Sequence, residues 1–197
     1  AEDGPPLGVS ADADGVWRHP GSPDEVSPLY LQALLTYEDR WFYSHPGVNP
    51  LALARAAWLN LRGGRVVSGG STLSMQVGRL LDPHERTLAG KLRQLWRTAQ
   101  LEWHLSKREI LQIYLDRAPF GGTLQGVAAA SWAYLGKSPM HLTPAEAALL
   151  AVLPQAPSRL RPDRHPERAQ RARDKVLQRL GEYQVWPAQQ IREAGEE

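Results

Sequence analysis

The chain has 197 residues, of which 42% are hydrophobic and 22% are charged, and its formal net charge is +2. This composition is typical of a folded core and excludes intrinsic disorder, while the small charge does not indicate a dedicated nucleic-acid-binding protein. The absence of cysteine excludes a disulfide framework, a thiol nucleophile and cysteine-ligated zinc. The sequence contains no run of about 18 apolar residues, so no membrane span is predicted. The first residues do not resemble a signal peptide. We therefore expect a piece cut from a longer protein; if that protein has a membrane anchor, the anchor was removed.

Glycine and proline punctuate residues 1–26, which are predicted to be an irregular linker with a small β element. From there on the apolar periodicity is helical: Ser27 can cap a first helix and Pro28 suits its first position. Two later helices begin with capping boxes, Ser106–Glu109 and Thr143–Glu146. The remaining helices are predicted at 50–62, 69–81, 86–104, 123–134 and 166–180, with a frayed tail at 195–197. No repeat and no composition break divides the chain, so residues 27–197 are predicted to form one all-α domain.

Several common catalytic and metal-binding motifs are missing. The six histidines never show the HExxH spacing of a zinc site, so no metal site is predicted. No Walker loop, GxGxxG or GxSxG motif occurs, and no serine is followed three residues later by lysine. These absences argue against nucleotide binding and against the serine hydrolases that carry those motifs.

Two adjacent carboxylates, Glu38 and Asp39, stand at the end of an apolar helix and are followed by three aromatic residues and by His45. A carboxylate held against aromatic side chains can act as a general acid or base, because burial raises its pKa. The structural alternative is an ordinary ion pair of Glu38 with Arg40 above a packed aromatic cluster.

A second block, residues 69–79, places two glycines and two hydroxyls at the start of a helix. Free backbone N–H groups at such a helix start can cradle an anion. Thr72, Gln76 and Arg79 then follow at i, i+4 and i+7, on one face that suits a phosphate or a pyrophosphate. The structural alternative is a glycine turn with Ser71 as a plain N-cap.

A third block is a run of basic residues along the helix predicted at 86–104. These side chains could bind a diphosphate, although a basic run is more commonly a solvated helix face. Its members are Arg86, Lys91, Arg93 and Arg97.

In this order, the blocks resemble the peptidoglycan glycosyltransferase (transglycosylase) family, the glycan-polymerising domain of bifunctional penicillin-binding proteins. The resemblance runs from about Asp24 to the end of the chain. It is carried by the ED-x-x-F-x-x-H-x-G pattern at 38–47, by GGST with Gln76, and by SKREILQIY at 106–114. It continues through Gly126, Tyr134, Gly136 and Lys137 to AEA at 145–147 and LPQAPS at 153–158.

The resemblance implies an inverting transfer reaction. Glu38 matches the catalytic base, which would deprotonate the sugar 4-hydroxyl of lipid II so that its oxygen attacks the anomeric carbon of the lipid-linked glycan strand. Undecaprenyl pyrophosphate would leave. The residues that the resemblance places in substrate binding are Asp39, His45, Ser71, Thr72, Gln76, Arg79, Arg86, Lys91 and Gln94.

Gln94 is the main departure from the family pattern, which has a second glutamate at this position. Gln94 either substitutes for it as a hydrogen-bonding group, or Glu102 compensates, or activity is reduced. Because Glu102 lies eight residues further on, about 12 Å along a helix, the first option is favoured. The departure keeps open an alternative function as a weakly active or non-catalytic module that binds lipid-linked glycan. A lysozyme-like hydrolase is a third hypothesis, against which the predicted pyrophosphate face argues.

The family further implies a two-lobed all-α fold with a lysozyme-like larger lobe. Residues 48–66 would form a smaller lobe that enters the membrane surface; an ordinary core helix remains the alternative there. The implied partners are lipid II, the membrane, a C-terminal transpeptidase domain and moenomycin-type inhibitors, at the periplasmic face of the inner membrane. No tightly bound cofactor is expected, and a divalent cation (Mg²⁺ or Mn²⁺) accompanying the substrate pyrophosphate is left open.

Overall fold

The computed structural model describes residues 22–47, 71–85 and 87–197. These residues are mainly α-helical, with one small sheet, which confirms the all-α prediction. The chain divides into two compact units, one made of Ala1–Tyr37 with Leu115–Glu197 and the other of Glu38–Tyr114. The α-helices of the described residues are α1 (Pro28–Glu38), α2 (Leu73–Leu81), α3 (Leu88–His104), α4 (Lys107–Arg117), α5 (Val127–Leu135), α6 (Pro144–Val152), α7 (Pro166–Glu182) and α8 (Ala188–Glu196).

The predicted helix starts that rest on capping chemistry are confirmed. The Ser27 hydroxyl accepts a hydrogen bond from the Leu29 N–H, and Pro28 is the first residue of α1. Before α4, the Glu109 N–H donates to Ser106 and the Glu109 carboxylate accepts from the Ser106 N–H. The same reciprocal pair links Thr143 and Glu146 before α6. Such caps are local, because each joins residues only two or three positions apart.

The helix predicted at 123–134 begins later than expected. Residues 119–125 instead form an antiparallel hairpin of β1 (Pro119–Gly121) and β2 (Leu124–Gln125). Strands of three and two residues are too short to show the alternation that identifies a strand in sequence. Gly126 then starts α5 with φ +87°, and a Cβ on it would lie 2.8 Å from the Asp116 carbonyl oxygen.

The prediction of a frayed tail is wrong. After α7 the chain turns at Gln184, which has φ +55°, and continues as α8 to Glu196. The Arg173 guanidinium donates to the Gly195 carbonyl at 3.0 Å, and the Thr143 hydroxyl donates to Glu197 at 2.8 Å. The helix was missed because these partners lie 22 and 54 positions away in the sequence.

Each unit has its own apolar core. In the first unit, α6 packs against α7, and α7 against α8, with Leu150, Leu177 and Trp186 buried. In the second unit, α2 packs against α3, and its buried side chains include Phe42 and Met75. The helix predicted at 50–62, the lobe at 48–66 and the β element predicted within 1–26 lie wholly or largely outside the described residues. Within the described ranges, no helix has the length and apolar content needed to cross a membrane.

Candidate active site

The N-terminus of α2 is held by the protein's own carboxylate. Asp39 is buried and accepts the Leu73 N–H on one oxygen at 2.8 Å and His45 Nε2 on the other at 2.7 Å. A carboxylate is favourable there because the helix dipole and the free N–H groups attract negative charge. Asp39 therefore occupies part of the place where the sequence suggested an external anion, and it ties the loop after α1 to α2.

Thr72, not Ser71, is the N-cap of α2. Its buried hydroxyl accepts the Met75 N–H at 3.2 Å and donates to the Gly47 carbonyl. Gly47 itself has φ +76°, and a Cβ there would lie 2.5 Å from Glu102 Cγ. This close approach requires glycine and brings the loop after α1 against α3 as well as α2.

Glu38, the last residue of α1, is oriented by α2. The Gln76 side-chain amide donates to Glu38 Oε2 at 2.9 Å, and both side chains are partly buried. The contact joins residues 38 positions apart. It places a fixed carboxylate beside α2, as general-base chemistry requires.

Gln94 is buried between the α2 backbone and a lysine. Its amide donates to the Met75 carbonyl at 2.8 Å, and its Oε1 accepts from Lys91 Nζ at 3.1 Å. Lys91 also donates to the Ser71 hydroxyl at 3.4 Å. A neutral amide suits this place because it can donate and accept at once, which an ionised carboxylate cannot do.

A cavity of about 210 Å³ opens beside these residues. Two cations, Arg79 and Lys91, line it together with the carboxylate Glu85. Burial, and secondly the positive charge of Arg79, lower the pKa of Lys91. Two like charges held this close repel each other, so an anion bound between them would be stabilised. The remaining lining residues are Ser71, His84, Thr87 and Gln94.

Arg93 and Arg97, two further members of the predicted basic run, do not line the cavity. Arg93 holds Asp82 through two hydrogen bonds of 2.8 and 2.6 Å, and Arg97 adds one of 2.8 Å. Asp82 is the C-cap residue of α2, so this cluster ties the end of α2 to α3. The basic run is thus divided between the cavity and a structural ion-pair cluster.

This cluster predicts a specific pH dependence of stability. Hydrogen bonds from Arg93, and then from Arg97, lower the pKa of Asp82 from 3.8 to about 2. The stabilisation is present above the unfolded-state pKa and is lost as the pH falls through the folded-state pKa. We expect Asp82→Asn to lower the urea midpoint at neutral pH, and its difference from the wild type to shrink between pH 4 and pH 2. A difference that stays constant to pH 2 would contradict the assignment.

A network around Glu102 was not predicted. Glu102 accepts hydrogen bonds from the Ser74 hydroxyl and, at 2.7 Å, from Lys107 Nζ, and Lys107 lies 4.8 Å from the Phe42 ring centroid. These contacts give Glu102 a packing role among α2, α3 and α4. Glu102 does not line the cavity, so it does not take the place of a carboxylate at position 94. In the sequence, Glu102 is distinguished only as the single acidic residue of a helix whose other side chains are uncharged or basic.

The predicted site residues therefore separate into three groups. Glu38 and Gln76 contact each other, and Ser71, Arg79, Lys91 and Gln94 line the cavity. Asp39, His45 and Thr72 are buried in contacts that hold α2. Arg86 lies outside the described residues, and its role stays a prediction, as does substrate binding by the others. No group of three or more metal-ligating side chains occurs in the ranges that the structure describes.

A family model described as Transglycosylase matches residues 8–181. The chain belongs to the transglycosylase family. Penicillin-binding protein 1C of Escherichia coli is 68% identical over the whole chain, which covers 26% of that protein. Penicillin-binding protein 1A of Aquifex aeolicus is 39% identical over 87% of the chain and 24% of that protein. This chain thus spans about a quarter of the length of these curated relatives.

A solved structure shares the fold of this chain. The crystal structure of penicillin-binding protein 1A from Haemophilus influenzae matches 92% of this chain and 18% of its own chain, with a TM-score of 0.57 and 23% identity. The family confirms the peptidoglycan glycosyltransferase class predicted from the ordered blocks, and it does not favour a non-catalytic binding module. The stretches at 69–83 and 117–137 predict a likeness to penicillin-binding protein 1C, and the identity with the relative from E. coli agrees with that prediction.

Proposed function

We propose that this transglycosylase domain polymerises lipid II into glycan strands with inversion at the anomeric carbon and releases undecaprenyl pyrophosphate. The observation that carries the proposal is the pair of cations, Arg79 and Lys91, held together in one cavity. A diphosphate leaving group would relieve their mutual repulsion. A hydrolase acting on finished glycan would have no diphosphate to stabilise.

Glu38 is the general base of this proposal. Its carboxylate would take the proton from the 4-hydroxyl of lipid II as that oxygen forms the new bond to the anomeric carbon of the donor strand. The Gln76 amide, 2.9 Å from Glu38 Oε2, restricts the rotation of the carboxylate, so less of its freedom has to be lost in the transition state. Inversion follows from attack on the face opposite the leaving group.

Arg79 and Lys91 stabilise the leaving pyrophosphate. The bond from the anomeric carbon to the diphosphate oxygen breaks, and the negative charge that develops on the oxygen lies beside two cations. Gln76 and Arg79 are three residues apart on α2, about one helical turn. One helix would therefore position both the base and a leaving-group cation.

The described side chains of the cavity fit an anion better than a resident cation. Two of them are positive, and Glu85 is the only carboxylate among the lining residues. No step of the proposed reaction is therefore assigned to a metal ion. A divalent cation would arrive with the substrate pyrophosphate and contact its oxygens.

The penicillin-binding proteins among the relatives of this domain support a proposal for its cellular setting. We propose that the full protein carries a transpeptidase domain after this chain and is anchored at the periplasmic face of the inner membrane. Residues 48–66 would contact the membrane surface beside the lipid-linked substrates. Moenomycin-type inhibitors would compete with the lipid-linked donor.

Lys91→Met tests the leaving-group assignment. Removing one preorganised charge from the transition state is expected to slow polymerisation of labelled lipid II about a hundredfold or more. Arg93→Met is the matched control, because Arg93 lies two residues away on α3 but is bonded to Asp82; it is expected to keep near-wild-type activity. Equal losses in the two variants would contradict a specific role for Lys91. Soluble fragments released from cell wall, with no polymer formed, would indicate the hydrolase instead.

A further inference from the structure

The proposed reaction assigns no role to the histidine of the cavity. His84 lines the cavity together with Arg79, Lys91 and Gln94. It lies in the short connection between α2 and α3, two residues after the C-cap Asp82. The family pattern has a glutamate at position 94, and the neutral Gln94 cannot exchange a proton there. Because histidine commonly changes its charge between about pH 5 and pH 8, His84 brings a proton-exchanging group to a cavity in which that glutamate is missing.

A backbone hydrogen bond determines which ring nitrogen of His84 can serve a ligand. Nδ1 lies 2.8 Å from the Asp82 carbonyl oxygen. A carbonyl oxygen can only accept a hydrogen bond, so Nδ1 carries a hydrogen. Nε2 is then the nitrogen that takes up a proton when the ring becomes an imidazolium, and it can give this proton to a ligand. The same hydrogen bond restricts the rotation of the ring.

Gly90 allows the ring edge that carries Nε2 to lie against the first turn of α3. A Cβ on Gly90 would lie 3.1 Å from His84 Cδ2, the ring carbon bonded to Nε2, and 2.1 Å from the Glu85 carbonyl oxygen. Glycine is therefore required where residues 84 and 85 cross the start of the helix. Lys91 follows Gly90 directly in the sequence, so the imidazole lies against the residue next to one of the two cations of the cavity.

We propose that His84, as an imidazolium, is the general acid for the departing diphosphate, an inference that rests on the proposed function. The bond from the anomeric carbon to the diphosphate oxygen breaks, its electron pair stays on that oxygen, and Nε2–H delivers a proton to the diphosphate. Glu38 takes the proton of the acceptor hydroxyl, so the protein gains one proton and gives up one in each turnover. Afterwards Glu38 releases its proton to water, and His84 regains one from water.

The charges around His84 suit an acid that acts on a bound diphosphate. Arg79 on α2 and Lys91 on α3 disfavour an imidazolium until an anion lies between them, and a diphosphate then favours it. Glu85, the neighbouring carboxylate of the cavity, also favours the charged ring. The Asp82 carboxylate contributes little, because it is bonded to two arginines of α3. The imidazolium is therefore most stable when the diphosphate is bound, which is when the reaction needs its proton.

His84→Gln tests this role, because glutamine can still donate a hydrogen bond but cannot give up a proton. Polymerisation of labelled lipid II in detergent is expected to slow about a hundredfold near about pH 6. The ratio of the wild-type rate to the variant rate is expected to shrink towards about pH 9, because the wild type then loses its imidazolium. Loss of charge from Lys91 affects both proteins and cancels in this ratio. His104→Gln, at an exposed position at the end of α3, is the matched control and is expected to keep the wild-type rate.

A second measurement observes the proton directly and needs no turnover. Nuclear magnetic resonance of the protein with isotopically labelled histidine reports the protonation of each ring nitrogen, and His84→Gln identifies the signals of His84. Inorganic pyrophosphate is the probe. We expect pyrophosphate to increase the protonated fraction of His84 Nε2 and to leave the signals of His104 unchanged.

Three results would overturn the inference. Wild type and His84→Gln could polymerise lipid II at equal rates at every pH. The variant could be slower by the same factor at every pH, which would show that His84 only packs or hydrogen-bonds. The Nε2 signal could fail to respond to pyrophosphate. A wild-type chain that forms no polymer although pyrophosphate protonates His84 would instead contradict the proposed function and leave His84 as a ligand of the diphosphate.

Discussion

Replacing Glu38 with Gln is expected to abolish measurable polymerisation of lipid II. Loss of a positioned general base typically slows a reaction about 10²–10⁴-fold, and glutamine cannot take the proton of the acceptor hydroxyl. Because Gln76 can still donate a hydrogen bond to the new amide oxygen, the substitution preserves the contact that holds position 38 beside α2. Polymer formed from labelled lipid II in detergent is the measurement, with the unfolding midpoint as the test of an intact fold.

Glu182→Gln is the matched control for this experiment. Glu182 is an exposed carboxylate at the end of α7 that accepts a hydrogen bond from Gln178, so the same chemical change is made far from the reacting groups in the sequence. It is expected to leave both activity and stability unchanged. Residual activity of Glu38→Gln within a few-fold of the wild type would remove the carboxylate from the proposed chemistry.

A third sample, Gln94→Glu, addresses the departure at position 94. The buried amide donates to the Met75 carbonyl, and a carboxylate oxygen in its place would face that carbonyl without a proton. We therefore expect the wild type to polymerise lipid II without this substitution. A wild-type chain that is inactive until Gln94 is replaced by Glu would mean that the domain has become a binding module.

Gly47→Ala is expected to destabilise the second unit by more than the backbone cost of a left-handed alanine alone. An alanine at φ +76° costs about 1–2 kcal/mol of backbone energy. Its Cβ would also lie 2.5 Å from Glu102 Cγ and 3.0 Å from Thr98 Cγ2, and forcing an extra methyl group into a packed site costs about 1–3 kcal/mol more. The displaced loop would also lose the Thr72 hydrogen bond to the Gly47 carbonyl.

Gly136→Ala separates these two costs. Gly136 has a similar φ of +67°, but no atom lies within 4 Å of the position of a Cβ. Its substitution is expected to show the backbone cost alone, about 1–2 kcal/mol in the free energy of unfolding by urea. Equal losses at the two positions would show that α3 moves away from the new methyl group and that the close approach at Gly47 is not required.

The sequence predicted well the features that depend on near neighbours. The caps at Ser106 and Thr143 were identified because a hydroxyl and a glutamate three residues apart can satisfy each other's backbone whatever lies around them. The hairpin at 119–125 and helix α8 were missed for the opposite reason. Two- and three-residue strands carry no readable period, and α8 is held by contacts with Thr143 and Arg173.

The face formed by Thr72, Gln76 and Arg79 shows how far a helical pattern determines a site. The spacing correctly placed all three on one helix, at i, i+4 and i+7. Their partners nevertheless differ: Thr72 donates to the Gly47 carbonyl, Gln76 donates to Glu38, and Arg79 lines the cavity. Helical spacing places side chains on a common side, but the elements that pack there decide what each side chain contacts.

The sequence by itself determined the all-α class, the family and the carboxylate proposed as the base, because these rest on local periodicity and on an ordered set of blocks. Only the tertiary structure decided which polar groups stay available for a substrate. Arg93 is taken up by Asp82 and Gln94 by the Met75 carbonyl 19 positions earlier, while Lys91 is left at the cavity. The physical reason is that a hydrogen bond or an ion pair depends on distances of about 3 Å, and such distances between α2 and α3 exist only after the two helices have packed.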